Sequence, residues 1–353
     1  MRVFLMLAAG AVLVVGALAV ALRLPSVEDA LFDRALADKF APKKIDLFDD
    51  DGLKVFFCGT GSPLPSLKRA QGCTGIIFGN RIFLVDAGSG SWERIQAAGI
   101  PGQRLGGVFL THLHSDHIGD LGEVNLGSWI GARYAPLRVF GPAGVERVVA
   151  GFNEAYALDT TYRTAHHGEG VAPTGTAGME AHAFDASAPY IVFAESGFIA
   201  TAFPVHHDPV SPAVGYKFVY KGRTVVVSGD TAFTESVIEH AKDADVLVHE
   251  AQANHMVAKM SEAAKSVGNI NLAKILDDIP SYHTSPVDAA RVANEAGAEW
   301  LVLTHLTPAP DNEITRRIFL RGAEEARSKN VKLAEDGMLI LLPEAGGVVF
   351  TKY

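Results

Sequence analysis

The feature that most constrains this chain is the segment GVFLTHLHSDHIGD. It joins a short apolar run to three histidines and two aspartates within ten residues. His112 and His114 are two residues apart, so their side chains point to the same side of an extended chain. Asp116 and His117 follow where the chain turns toward a helix. Because neutral imidazole and carboxylate are the usual ligands of catalytic zinc, the segment predicts a metal site at the end of a strand.

Other predicted strands also end in histidine or aspartate. The sequences FPVHHD, SGDT, VLVHE and LVLTH place these residues at or just after strand ends: His206, His207, Asp230, His249 and His305. One such histidine alone would most often be a surface or core residue. Five separate strand ends that each carry a potential ligand instead favour one shared site.

Strand-like and helix-like segments alternate along most of the chain. The apolar runs LKVFFC, CTGIIF and RIFLVD predict strands at 53–58, 73–78 and 81–86. From Gly106 onward, strands alternate with helical patterns, apart from a block of strands over 191–227. This order predicts an α/β fold with mixed sheets.

The N-terminal segment differs from the rest of the chain. Val3 to Leu22 is an unbroken apolar run, and a stretch of about 20 such residues can just span a bilayer. With Arg2 before it, the run predicts a transmembrane anchor or signal peptide over 1–25. A linker over 26–50 and a folded domain over 51–353 follow. The protein is therefore expected to be exported, either periplasmic or membrane-anchored and facing outside the cytoplasm.

Composition limits the partners of the chain. Its 353 residues carry a formal net charge of −9, and 48% of them are apolar. This balance indicates a folded protein and argues against one that mainly binds phosphate backbones, which requires clustered lysine and arginine. Cys58 and Cys73 lie on predicted neighbouring strands. A disulfide between them is geometrically allowed, but the sequence alone does not establish it.

The order HxHxDH, followed by histidine, aspartate and histidine at later strand ends, resembles the metallo-β-lactamase superfamily of binuclear metallohydrolases. The similarity runs from about Lys54 to Leu342. It implies an αββα sandwich of two mixed β-sheets flanked by helices, with the metals at one edge of the sheets. The segments FCGTGSPLPSLKRA, HEAQ and YHTS further resemble the branch that contains ribonuclease Z and a group of arylsulfatases.

The resemblance implies a role for each candidate residue. It assigns two divalent ions, most simply zinc with manganese or iron as alternatives, to seven ligands: His112, His114 and His207 for one ion, Asp116, His117 and His305 for the other, and Asp230 as the bridge. The choice of His207 over His206 depends on its spacing from the following proline. Asp86 resembles a residue that orients the ligands from behind.

The same resemblance implies a mechanism. Two metal ions would lower the pKa of a shared water so that hydroxide forms near neutral pH. Asp116 is expected to accept the remaining proton of that water. His249 and His283 are the candidates for the general acid and for holding the anion, and Glu250 is a candidate for holding His249 in position.

The expected substrate is a small anionic ester, either a phosphodiester or an aryl sulfate. Ribonuclease Z is a cytoplasmic endonuclease that grips tRNA with a protruding basic arm. Residues 141–200 of this chain contain no lysine and two arginines against seven acidic residues, so nucleic acid is not the expected partner. Ribonuclease Z-type processing of tRNA 3′ ends and a lactonase remain as alternatives.

Two further expectations concern the class of protein and its assembly. A non-enzymatic metal-binding protein is the least favoured class, because none of the ligands is missing. The membrane is an expected partner if the N-terminal helix is not cleaved. A homodimer is also compatible with the sequence.

Overall fold

The chain divides into two units, residues 1–46 and residues 47–353. The computed structural model describes residues 4, 15–16, 18–41, 47–48 and 51–353. In the first unit, helix α1 spans Pro25–Phe40 and begins with a proline, which suits the first turn of a helix. The apolar run over 3–22 that predicted an anchor lies largely outside the described residues. Within those residues, no helix is both long and apolar enough to cross a membrane.

The second unit is built on two β-sheets. Its strands are β1 Leu53–Gly59, β2 Cys73–Phe78, β3 Arg81–Val85, β4 Leu105–Phe109, β5 Leu137–Pro142, β6 Met179–Phe184, β7 Tyr190–Glu195, β8 Phe198–Pro204, β9 Val214–Tyr220, β10 Arg223–Val227, β11 Val246–Gln252, β12 Trp300–Thr307, β13 Val331–Leu333, β14 Met338–Leu342 and β15 Val349–Lys352. Sheet 1 has the order β15-β14-β1-β2-β3-β4-β5-β6, and sheet 2 has the order β13-β12-β11-β10-β9-β8-β7.

Both sheets are mixed, as the sequence predicted. In sheet 1, β3 to β6 are parallel, and the strands from β15 to β3 pair antiparallel. In sheet 2, β10 to β13 are parallel, and β7 to β10 pair antiparallel. Side chains that follow the parallel strands of one sheet therefore emerge at a common edge.

The main core lies between the two sheets. Alternate residues of β9 face it, among them Tyr216 and Phe218, because successive side chains of a strand point to opposite faces. Aromatic rings fill the centre: the ring centroids of Phe78 in sheet 1 and Phe198 in sheet 2 are 3.8 Å apart. The sheets thus pack face to face on apolar side chains.

Helices cover the sheets. Those of the second unit are α2 Ser91–Ala97, α3 Ser115–Ile118, α4 Leu121–Ile130, α5 Val145–His167, α6 Glu235–His240, α7 Asn254–Ser266, α8 Ile270–Asp278, α9 Pro286–Glu295, α10 Glu313–Phe319 and α11 Ala323–Ala326. Ser285 caps α9 by accepting the backbone N–H of Asp288 at 3.1 Å. The buried face of α9 packs in an apolar cluster with Leu247 and Leu301 of sheet 2. The predicted αββα sandwich is confirmed.

Cys58 and Cys73 form a disulfide between the end of β1 and the start of β2. The sequence left this pairing open. The bond closes the base of the loop that joins the two strands, and Gly72 at the end of this loop lies beside His117 and His305. The disulfide therefore anchors a loop that borders the candidate metal centre.

Candidate metal centre

The predicted ligands come together at one edge of the sandwich. His112 and His114 follow β4 in sheet 1, and Asp116 and His117 belong to α3 directly after them. Sheet 2 contributes the other three: His207 after β8, Asp230 after β10 and His305 in β12. All of them except His114 are buried.

The first group of donors consists of His112, His114 and His207, whose donor atoms lie within 4.8 Å of one another. His112 Nε2 is 2.9 Å from His114 Nδ1. His207 is 1% exposed, and its Nδ1 donates to the carbonyl of Tyr282 at 3.0 Å, which leaves Nε2 to face the group. The structure therefore brings His207 to this group, whereas the side chain of His206 is 58% exposed beside Asp208.

The second group consists of Asp116, His117 and His305, again with donor atoms within 4.8 Å of one another. His305 Nε2 is 3.1 Å from Asp116 Oδ2. Asp230 lies between the groups. Its Oδ2 is 3.3 Å from His117 Nε2, and a carboxylate oxygen of Asp230 lies within 4.8 Å of a ring nitrogen of His112. The position of Asp230 suits a ligand shared by two ions.

Asp86 and Thr111 hold the His117 ring of the second group in position through hydrogen bonds. Asp86 Oδ2 accepts from His117 Nδ1 at 2.8 Å and from the Thr111 hydroxyl at 2.9 Å. Its Oδ1 accepts the Thr111 backbone N–H at 2.8 Å. These bonds orient the His117 ring with Nε2 toward the centre, which is the usual role of a carboxylate behind a metal-binding histidine.

Two residues at the centre have unusual backbone conformations. Asp86 has φ of 64° and His305 has φ of 48°, both in the left-handed region that few residues other than glycine adopt. Such a conformation costs about 1–3 kcal/mol and persists only where the surrounding structure imposes it. Here it turns the two side chains toward the centre.

The electrostatics of the centre fit a divalent cation. Burial lowers the pKa of His112 well below its usual value, which keeps the imidazole neutral. Burial opposes ionisation of Asp230, but His305 and His117 outweigh it and hold the pKa of Asp230 well below its usual value. Neutral imidazole and ionised carboxylate are the forms that bind metal. His117 departs from this pattern: burial lowers its pKa, but Asp230 and Asp86 raise it well above the usual value.

Buried polar atoms without a hydrogen-bond partner give a second test of whether the centre suits divalent ions. His117 Nε2 and His207 Nε2 are buried and have no hydrogen-bond partner among the described residues. Leaving a buried polar atom without a partner costs free energy, so native structures rarely do so. One ion in each donor group would satisfy both nitrogens, the first beside His207 and the second beside His117. The donor set and the unpaired nitrogens therefore fit the divalent ions that the fold implies.

The remaining candidates, His249 and His283, occupy different places. A ring nitrogen of His283 lies within 4.8 Å of donor atoms of His207 and Asp230. Its Nδ1 is 3.1 Å from Glu250 Oε1. His249 is 1% exposed, and its Nδ1 bonds to the carbonyl of Glu250 at 2.7 Å. His249 belongs to none of the donor groups found among the described residues.

Glu250 is the residue whose contacts the sequence misjudged. It was expected to hold His249, yet its carboxylate instead bonds His283 and accepts the backbone N–H of Thr284 at 2.8 Å. Burial lowers the pKa of His283, but the adjacent Glu250 carboxylate outweighs this effect and raises that pKa to about 9. Glu250 is 1% exposed, far from the solvated side chain that its charge alone would suggest.

The family described as Beta-lactamase superfamily domain matches residues 81–306, which include all seven candidate ligands. This chain belongs to the β-lactamase superfamily. The ribonuclease Z of Mycobacterium bovis (strain BCG / Pasteur 1173P2) is 36% identical over 260 residues, which cover 73% of this chain and 87% of that protein. The ribonuclease Z of Mycobacterium sp. (strain KMS) is 33% identical over 288 residues, or 80% of this chain and 94% of that one.

Solved structures of the superfamily share the fold. Human tRNase Z, short form, has a TM-score of 0.59 and 21% identity, with 82% of this chain and 99% of that chain covered. The metallo-β-lactamase fold protein YhfI from Bacillus subtilis has a TM-score of 0.59 and 23% identity, with the same shares covered. At these identities the likeness supports the fold alone.

The relatives correct three expectations drawn from the sequence. The ranking of aryl sulfate or small phosphodiester hydrolysis above ribonuclease Z was wrong, because the curated relatives are named ribonuclease Z at up to 36% identity. The expectation that the substrate is a small anionic ester and not a nucleic acid was wrong for the same reason. The exported location is corrected as well, since the relatives carry the name of the enzyme that the sequence analysis set aside as cytoplasmic.

The acidic composition of residues 141–200 misled the prediction of the substrate. That segment was compared with a protruding basic arm. All of its residues are described, and they form the end of β5, α5, β6, β7 and part of β8. The count of charges in this segment therefore describes one helix and several sheet strands and does not decide the substrate.

Proposed function

We propose that this protein is a ribonuclease Z-type phosphodiesterase that cleaves precursor tRNA at its 3′ side with the help of two divalent ions, zinc in the first instance. The observation that carries the proposal is the pair of histidine and aspartate groups that share Asp230. The relatives named ribonuclease Z supply the substrate class.

In this proposal the seven side chains hold the ions. His112, His114 and His207 hold one, Asp116, His117 and His305 hold the other, and Asp230 binds both. Bound there, the two ions would make hydroxide available near neutral pH and neutralise charge that develops on the phosphoryl group. Asp116 accepts the proton that the attacking water gives up.

The pair of His283 and Glu250 supplies the proton for the leaving group. Because Nδ1 of His283 faces Glu250, its Nε2 is left to face the substrate. The buried Glu250 carboxylate stabilises the protonated imidazole and fixes its orientation. The His283 Nε2–H is then placed to protonate the ribose oxygen that leaves when the phosphodiester bond breaks.

A cleft of about 420 Å³, lined by five cationic and four acidic side chains, is the surface that we propose for the RNA backbone. Its cationic lining residues are Lys68, Arg69, Arg94, Arg316 and Lys352. Salt bridges to acidic residues occupy the three arginines. Lys68, whose Nζ donates to a backbone carbonyl, and Lys352 keep their charge available for phosphate groups.

The test is cleavage of a 3′-extended precursor tRNA by the full chain, purified and loaded with zinc or manganese. Mature tRNA and a small aryl phosphodiester serve as comparison substrates. We expect cleavage of the precursor at one position near the end of the acceptor stem. Turnover of the aryl phosphodiester without any cleavage of precursor tRNA would refute the tRNA substrate and leave the metal-dependent phosphodiesterase standing.

Adjacent histidines provide a matched pair of variants. His207→Ala should lose at least about 100-fold in kcat, because the residue is expected to bind metal. His206→Ala should keep its activity, since that side chain points into solvent. Equal losses in both variants would contradict the proposed ligand set.

A further inference from the structure

A second pocket opens at the opposite edge of the sandwich, with a volume of about 310 Å³. Its lining includes Arg81 at the start of β3, Gly106 at the start of β4, and Arg138 at the start of β5. These three strands are parallel, and the candidate metal centre lies beyond their other ends. Since β4 has five residues, the two sites are roughly 15–20 Å apart.

Two of the arginines that line this pocket have no carboxylate within salt-bridge distance among the described residues, although Glu195 and Glu180 act on the charge of Arg138 from further away. The guanidinium of Arg138 donates to the carbonyl of Gly106 from Nε at 3.2 Å and from Nη2 at 3.0 Å, which leaves Nη1 without a partner in that part of the chain. Arg133 is 4% exposed, and its guanidinium donates to carbonyl, hydroxyl and amide oxygens. Burial lowers the pKa of Arg133 to about 10.

The surroundings of Arg138 favour binding of an anion. Its guanidinium carbon lies 5.1 Å from the ring centroid of Phe193 and 5.9 Å from those of Phe83 and Phe140. These rings exclude water from one side of the cation. Because an unpaired charge in a half-buried position is costly, an anion on the open side would stabilise it.

Among the described residues, Glu195 is the only acidic one that lines the pocket, and Arg81 Nη1 already bonds it at 3.0 Å. Three arginines against one glutamate leave an excess of positive charge in a chain whose net charge is −9. Tyr134 stands at the rim and is 67% exposed. An exposed ring beside a cationic pocket is suited to stacking on a flat group attached to the anion.

We propose that this pocket binds the phosphate group of a small phosphomonoester, with the Arg138 guanidinium donating to the phosphate oxygens. The charges of Arg81 and Arg133 add to the attraction, and Tyr134 covers the attached group. The pocket volume of about 310 Å³ suits a small ligand. The site is separate from the proposed hydrolytic centre and does not depend on it.

The experiment is isothermal titration of the full chain, with its metal content measured, at low ionic strength. The probes are inorganic phosphate, AMP and adenosine. We expect phosphate and AMP to bind and adenosine to bind at least about tenfold more weakly, because it lacks the charged group. Tighter binding of AMP than of phosphate, lost in Tyr134→Ala, supports a nucleotide ligand, whereas equal binding supports the phosphate group alone. Adenosine binding as tightly as AMP overturns the proposal.

Four variants locate the binding event. Arg138→Gln should weaken binding by about tenfold, whereas Arg147→Gln, on the exposed face of α5, should leave it unchanged. Glu195→Gln should tighten binding a few-fold, since it removes the competing carboxylate; this variant remains informative if Arg138→Gln fails to fold. Unchanged or weaker binding in Glu195→Gln overturns the proposal. Binding that is lost in Asp230→Ala but kept in Arg138→Gln places the phosphate at the metal centre and also overturns it.

Discussion

At the scale of single residues, two neighbouring aspartates of the motif THLHSDHIGD have different surroundings. Asp116 points to His117 and His305, inside the candidate centre. Asp120 points away and accepts the backbone N–H of Trp92 at 2.7 Å and the Ser91 hydroxyl at 3.2 Å. Asp120 therefore caps the first turn of α2.

The two aspartates give a first prediction. Asp116→Asn should lose the second metal ion and most activity, because a ligand has lost its charge. Asp120→Asn should keep its metal and lose only about 1 kcal/mol of unfolding free energy, the usual value of a helix cap. Metal analysis and chemical denaturation of both variants check this. Loss of metal in Asp120→Asn at unchanged stability would contradict the assignment.

A second prediction concerns Asp86, which touches His117 but not the proposed ions. In Asp86→Asn an amide replaces one of the two oxygens that accept hydrogen bonds, so His117 loses part of its orientation. We expect metal affinity to fall by about 10–100-fold, measured by competition with a coloured chelator. Asp159→Asn is the control, because Asp159 only pairs with Arg163 on the exposed side of α5. Equal affinities in the two variants would argue against an orienting role.

At the scale of elements, the connections after the strands position the centre. Gly88 follows β3, and a Cβ atom built there would lie 2.2 Å from the carbonyl oxygen of Asp116. The loop after β3 and the first turn of α3 therefore pack backbone to backbone. This contact fixes α3 against sheet 1 and with it the positions of Asp116 and His117.

This packing leads to a third prediction. Gly88→Ala should lower the free energy of unfolding by about 1–3 kcal/mol and reduce metal content, because the backbones must separate. Gly151→Ala in the middle of α5 should raise it by about 0.5–1 kcal/mol, since a Cβ there meets nothing within 4 Å. Denaturant titration with metal analysis compares the pair. A similar change in both variants would show that the contact at Gly88 is unimportant.

At the scale of the whole molecule, the sequence was sufficient for most of the strands and for the mixed sheets, because periodicity is a local property. The ligand assignment came from the family resemblance, and it stays a prediction. The sequence did not predict which side chain the Glu250 carboxylate contacts. Leu247 packs on the helix side of β11 and Val248 on the side between the sheets, so alternation turns His249 toward the helices. His283 is 33 residues further along, and only the folded chain brings it to Glu250.

The assembly of the centre from both sheets yields a fourth prediction. Removing metal with a chelator should lower the melting temperature, because bound ions stabilise only the folded state. With free zinc at 100 times its dissociation constant, each ion stabilises the fold by about 2.7 kcal/mol, or roughly 4 °C for a unit of this size. Calorimetry with and without added zinc measures the shift. Identical melting curves would exclude a centre that links the two sheets.

Each proposed ion draws its ligands from both halves of the sandwich. His112 and His114 from sheet 1 need His207 from sheet 2, and Asp116 and His117 need His305. A chain cut in the short connection between β6 and β7 would give two fragments, neither of which holds a full set for either ion. Metal uptake would then require the fragments to recombine, so it would serve as a reporter of fragment complementation in this fold.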